Sequence, residues 1–160
     1  RQALERNRHR RQARGTLLMY YIDTSVIVAY YCPEALSDKA EEFLSNIDRP
    51  NISTLTEVEF FSALSRKIRN KEMDAKTARK ISAKFLSHLE GKYFHSLPLA
   101  ANHYRLAGSW IAQFTLPFKS LDALHLAVAS CEDCSMVTFD HQLYQNAKNL
   151  DIDALLLDTL

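Results

Sequence analysis

The sequence predicts an α/β fold with a mainly parallel central sheet, and three observations carry that expectation. Short apolar runs that end in Asp or Ser alternate along the chain with longer segments of helical periodicity, the order that builds parallel sheets. Glycine is scarce, with only Gly15, Gly91 and Gly108, whereas a sandwich or barrel of many short strands needs Gly-rich turns. The 160 residues suit a single domain, and 47% hydrophobic with 24% charged residues is an ordinary globular composition.

The elements follow in order. Met19–Ile22 reads as the first strand, ended by Asp23, with Thr24–Tyr31 as a short apolar helix that Asp23 caps. Ser37 and Asp38 open a helix whose Ala40, Phe43, Leu44 and Ile47 recur at helical spacing. Residues 50–53 form a short strand. The helix after it is expected to bury Val58, Phe61, Leu64, Ser65 and Ile68, and basic residues near its end suit the helix dipole. Asp74 caps the next helix, with Ala78, Ile81, Phe85, Leu86 and Leu89 as its apolar face and Gly91 as its stop. Residues 93–97 alternate as a strand. Pro98 is expected to begin a helix with Ala101, Tyr104, Ala107 and Ile111 on one side, and Pro117 to break it. Ser120 should cap a helix that is apolar nearly all round over 121–129, hence buried. Residues 136–139 form a strand ending at Asp140; Leu143, Ala147 and Leu150 mark a further helix, and 153–157 the last strand.

The net charge of +1 is a sum of unlike parts. Residues 1–18 hold six arginines against Glu5 alone, +5, while residues 19–160 hold 14 basic and 18 acidic residues, −4. The expected organisation is therefore a basic N-terminal extension, 1–18, of artificial or upstream origin, and one folded domain, 19–160, with Met19 as the natural start. Contact of the extension's arginines with RNA or an acidic partner is the alternative. Bulk electrostatic capture of nucleic acid is not expected of the mildly acidic body. No GxGxxG or GxxxxGK[ST] loop is present to cradle a nucleotide. No apolar run approaches the ~18 residues of a membrane span, and no signal-peptide pattern follows the basic segment. The three cysteines, Cys32, Cys131 and Cys134, read as free thiols of a cytoplasmic protein. The Cys131–Cys134 pair lacks the second pair a zinc site requires.

Four acids share one kind of structural address. Asp23 and Asp140 end strands; Glu59 and Asp122 are expected in the first turns of the helices that follow residues 50–53 and Ser120. In an open parallel sheet, strand ends and helix starts line the crevice where ligands bind. Converging carboxylates repel unless a hard cation offsets them, and Mg²⁺ and Mn²⁺ prefer oxygen ligands. Such metal centres hydrolyse phosphodiesters by activating water and stabilising charge on the attacked phosphate. Taken singly, each acid is better explained as a helix cap than as a catalytic group; Asp23 between two apolar runs and Asp122 beside Ser120 are the harder ones to explain so.

The four motifs resemble those of the PIN-domain ribonucleases, and among them the VapC-type toxins of type II toxin–antitoxin modules. They are Tyr21-Ile22-Asp23-Thr24-Ser25, Ile52-Ser53 with Glu57 and Glu59 ahead of Ala63-Leu64, Leu121-Asp122-Ala123-Leu124-His125, and Val137-Thr138-Phe139-Asp140. The resemblance covers Met19 to about Leu157. It implies a PIN-like three-layer α/β/α sandwich, with Asp23, Glu59, Asp122 and Asp140 catalytic. One or two Mg²⁺ or Mn²⁺ ions would be held, Asp23, Asp122 and Asp140 being the metal ligands. Thr24, Ser25 and Thr138 would assist, and His125 would contact phosphate or orient Asp122, although a helix histidine among ordinary neighbours is the favoured reading. Glu59 lies six residues after Ser53, as the family pattern asks. Glu57 is the alternative, about 200° away round a helix. After Asp140 the motif departs from the family's fuller form, with His141-Gln142 where a further acid is common, which bears on a second metal.

The resemblance further implies an endoribonuclease acting on RNA, with tRNA or rRNA as candidate substrates, silenced by a cognate antitoxin and forming a homodimer. Tyr30, Tyr31, Phe43 and Phe60 are expected to contribute to those protein surfaces. The cations Arg66, Lys67, Arg69, Lys71, Lys76, Arg79, Lys80 and Lys84 form either a solvated face or a resting place for phosphates. A PIN nuclease of RNA processing or DNA metabolism, and a catalytically silent PIN-like binding module, fit the same residues.

Overall fold

The structure, a computed structural model, describes residues 19–159; the expectations for residues 1–18 lie outside the described residues. The elements are β1 (Tyr20–Ile22), α1 (Thr24–Tyr31), α2 (Ser37–Ser45), β2 (Asn51–Ser53), α3 (Thr54–Arg69), α4 (Ala75–Glu90), β3 (His95–Leu97), α5 (Ala101–Ile111), α6 (Ser120–Cys131), β4 (Ser135–Thr138), α7 (His141–Asn149) and β5 (Ala154–Leu156). The strands form a sheet in the order β3-β2-β1-β4-β5. β2 and β3 pair in parallel with Ile52 opposite Ser96, and β4 and β5 pair in parallel with Val137 opposite Leu155. The α/β class and the parallel sheet are therefore as expected. No helix among the described residues is long and apolar enough to cross a membrane.

The chain divides into two compact units: one runs to Tyr21 and resumes at Ala100, and the other is Ile22–Leu99. In the first, α6 buries every residue from Ala123 to Ala129, together with Tyr21, Met136, Val137, Leu143 and Ala147. In the second, Ile27, Leu44, Ile52, Phe60 and Phe85 form the core. Phe60 and Phe85 meet at a ring-centroid distance of 4.4 Å, and Tyr31 packs edge-on to both.

Several local expectations are corrected. Helix α3 buries Thr56, Phe60, Ala63 and Leu64, while Val58, Phe61 and Ile68 are exposed. The helix carries two apolar stripes, and periodicity alone does not say which one meets the core. Likewise Leu86 of α4 and Tyr104 of α5 are exposed, and His103 occupies the buried side of α5. Tyr31, Phe43 and Phe60, expected at protein surfaces, are core residues of the second unit. Helix α5 starts at Ala101 rather than at Pro98, with Ala100 as its N-cap. Ser120 is the first residue of α6, and Lys119 precedes it with no side-chain cap. Gly91 does end α4, but in the right-handed region; the left-handed residue is Lys92, at φ 58°. Glu59 is the sixth residue of α3, in its second turn, because the helix begins directly at Thr54.

Candidate active site

In the unit Ile22–Leu99, β1 ends and α1 begins at Asp23, which is 6% exposed. Its Oδ2 accepts from the Ser25 backbone N–H at 3.2 Å and from the Ser25 hydroxyl at 2.5 Å. Two donors on one oxygen fix the plane of the carboxylate. The next residue reaches across the sequence: Thr24 Oγ1 donates to Glu59 Oε2 at 2.7 Å, spanning 35 positions. Glu59 of α3 is thereby held at the N-terminal turn of α1, next to Asp23 in the chain. Its competitor turns elsewhere. Ser96 of β3 donates its hydroxyl to Glu57 Oε1 at 2.5 Å. The second turn of α3 can present Glu59 in this way because Ser53 and Thr56 cap the helix reciprocally, at 3.3 Å each way.

In the other unit, Asp122 lies in the first turn of α6 and is half-buried, at the end of the helix that favours an anion. His125, one turn along, is 1% exposed, and the Tyr21 hydroxyl lies 2.7 Å from its Nδ1. Asp140 ends the β4 segment and caps α7, its Oδ1 accepting from Leu143 N–H at 2.9 Å. The Asp140 N–H donates to Thr138 Oγ1 at 2.9 Å, so the Thr138 hydroxyl shapes the strand-to-helix turn that presents the carboxylate. Cys131 is exposed and Cys134 buried, both free thiols.

A sequence model of the PIN domain matches residues 20–149. The chain belongs to the PIN domain family. No curated protein sequence matches it. Among solved structures, it is similar to VapC20 of Mycobacterium tuberculosis, described as a toxin cleaving the sarcin–ricin loop. That match has 18% identity and a TM-score of 0.63, covering 79% of this chain and 94% of that one. It is also similar to the VapBC2 complex of Rickettsia felis bound to a promoter DNA fragment, at 17% identity and TM-score 0.61, covering 86% and 98%. A third is FitAcB of Neisseria gonorrhoeae, at 17% identity and TM-score 0.67, covering 89% and 100%. At these identities the likeness is one of fold.

In this PIN domain, Asp23, Glu59, Asp122 and Asp140 offer only oxygen donors, the set that suits Mg²⁺ or Mn²⁺. His125 lies against Tyr21, and among the described residues no group of three or more His, Cys, Asp and Glu within either unit could hold a metal. Sequence reasoning missed the partners that aim these groups: Ser96 for Glu57, Tyr21 for His125, and Asn146 of α7. The sign of Asn146 was legible, since an amide interrupts the apolar Leu143–Ala147 face, but its partner was not.

Proposed function

We propose that this PIN domain is a Mg²⁺- or Mn²⁺-dependent endoribonuclease that acts in the cytoplasm as a toxin restrained by a cognate antitoxin. The observation that carries the reading is the Thr24–Glu59 hydrogen bond. It brings the acid of the second motif to the turn capped by the acid of the first, which simple capping of either helix does not require. Asp23, Asp122 and Asp140 would hold one or two ions, which supply charge neutralisation at the attacked phosphate and a more acidic water. Ser25 holds the Asp23 carboxylate in place, Thr24 holds Glu59, and Glu59 and Asp140 orient the attacking water. The Leu143 N–H sets the Asp140 side chain, and Thr138 Oγ1 holds the Asp140 backbone N–H.

The RNA reading draws support from VapC20, described as a toxin cleaving the sarcin–ricin loop, and tRNA and rRNA remain the candidate substrates. The antitoxin reading draws support from the VapBC2 complex and from the exposed apolar residues Val58, Phe61, Ile68 and Leu86, which an antitoxin or a second copy in a homodimer would cover. The deciding experiment sequences RNA ends after induced expression of the wild type and of Asp23→Asn. New ends are expected at defined sites only in the wild type. The Asn side chain still caps α1, so a folded variant with cleavage reduced on the order of 100-fold or more is expected. Cleavage by a pure Asp23→Asn preparation at the wild-type rate would sink the assignment.

A further inference from the structure

We propose that Asn146 is a positioning residue that sets where Asp122 stands relative to Asp140, and through that spacing the metal affinity of the site; the inference rests on the metal-dependent nuclease reading above. Asn146 is fully buried between Leu143 and Ala147 on the inner face of α7. A buried amide is unfavourable unless its donors and acceptor are paired, and here both ends are engaged. Its Nδ2 donates to the Pro117 carbonyl at 3.1 Å, across 29 positions. Its Oδ1 accepts from Gln142 Nε2 at 3.1 Å, one turn back on the same helix.

The two ends of this tether matter because of what lies at them. Helix α7 is the helix that Asp140 caps. Pro117 stands three residues before α6, whose first turn carries Asp122. Lys119 gives α6 no side-chain cap; its carbonyl accepts from Ala123 N–H at 3.1 Å within the first turn, a bond that moves with the helix. The chain there is turned by Phe118 N–H to Leu116 C=O at 3.0 Å, a bond internal to the loop. The Asn146–Pro117 bond is a tertiary tie on the approach to α6, and it ties that approach to the helix headed by the other carboxylate. Both helices belong to one compact unit, so the tie has a fixed frame to act in. Outer groups that orient metal ligands typically alter metal affinity about 10–100-fold when removed.

The test measures Mn²⁺ binding by calorimetry on the full chain, without RNA, for wild type, Asn146→Leu and Gln142→Leu. Asn146→Leu keeps the branching at Cγ and removes both hydrogen bonds; Gln142 is exposed, so Gln142→Leu unties only the far end and leaves the core intact. Asn146→Leu is expected to weaken Mn²⁺ about tenfold or more, with RNA affinity in chelator unchanged, and Gln142→Leu to weaken Mn²⁺ in the same direction by less. A merely structural role lowers the melting temperature but leaves the Mn²⁺ dissociation constant alone, and that result in folded Asn146→Leu overturns the proposal. Should Asn146→Leu fail to fold, Asn146→Ala, which adds no bulk and also loses the Pro117 bond, decides: a weakened Mn²⁺ constant supports the tie and an unchanged one overturns it. A wild type that binds no Mn²⁺ and cuts no RNA overturns the nuclease reading instead.

Discussion

Glu57 and Glu59 differ by two positions, and their partners separate them. The Thr24 hydroxyl takes Glu59 and the Ser96 hydroxyl takes Glu57. Glu59→Gln should therefore lower the RNA cleavage rate steeply, whereas Glu57→Gln, which keeps a carbonyl acceptor for Ser96, should cleave as the wild type does. Steady-state rates on one RNA oligonucleotide check this; equal losses in both would remove the distinction. A second residue-scale prediction concerns His88. Burial lowers its pKa from the usual 6.5, and Lys84 pushes in the same direction. Burial also pushes the Tyr31 hydroxyl well above its ordinary range, so it stays protonated, and its oxygen lies 2.5 Å from His88 Nδ1. As pH falls, the unfolded chain takes up the histidine proton before the folded one does. The stability linked to His88 is complete above pH 6.5 and is lost as pH drops below it toward the lowered folded value. Melting temperatures between about pH 7 and pH 5 should show that decline, and His88→Gln should flatten it.

At the scale of elements, helices α3 and α4 join through aromatic packing rather than ion pairs. Phe85 is fully buried and lies against Phe60, Phe61, Tyr31 and Phe94. Phe85→Ala removes a ring that its neighbours cannot replace, and a loss of about 3–5 kcal/mol in urea unfolding is expected. A loss below about 1 kcal/mol would mean that the cluster collapses onto the gap. The opposite side of α4 carries Lys76, Arg79, Lys80 and Lys84, all exposed, and Glu90 is the helix's only acid. The same helix thus shows one buried stripe and one cationic stripe, and its start and stop were legible from Asp74 and Gly91. In α3 both sides are apolar, so periodicity named Leu64 correctly but put Val58, Phe61 and Ile68 inward where packing selected Thr56, Phe60 and Ala63.

At the scale of the molecule, the net charge conceals a body of −4 in which the proposed site is acidic. Substrate attraction must then be local, through divalent cations and cationic stripes. Chelation with EDTA should abolish cleavage, and Mn²⁺ should restore it. Mn²⁺ should also raise the melting temperature, by about 2.7 kcal/mol in stability at 100 times its dissociation constant. The Asp23→Asn variant should lose most of that rise, and an equal rise in both would place the ion elsewhere.

The sequence by itself determined the α/β class, the parallel sheet, the element order and the four acids as candidates, because each rests on local signals. Alternation of apolar runs with helical periods, and acids at strand ends and helix starts, are written within a few residues. Only the tertiary structure decided which apolar stripe of α3 is buried, that Tyr31, Phe43 and Phe60 are core, and which hydroxyl holds Glu59. It alone joined Asn146 to Pro117. These depend on partners tens of positions away: 35 for Thr24 and Glu59, and 29 for Asn146 and Pro117. Hydrogen bonds and packing are satisfied by whatever the folded chain brings within reach, and no periodicity records which residue that will be.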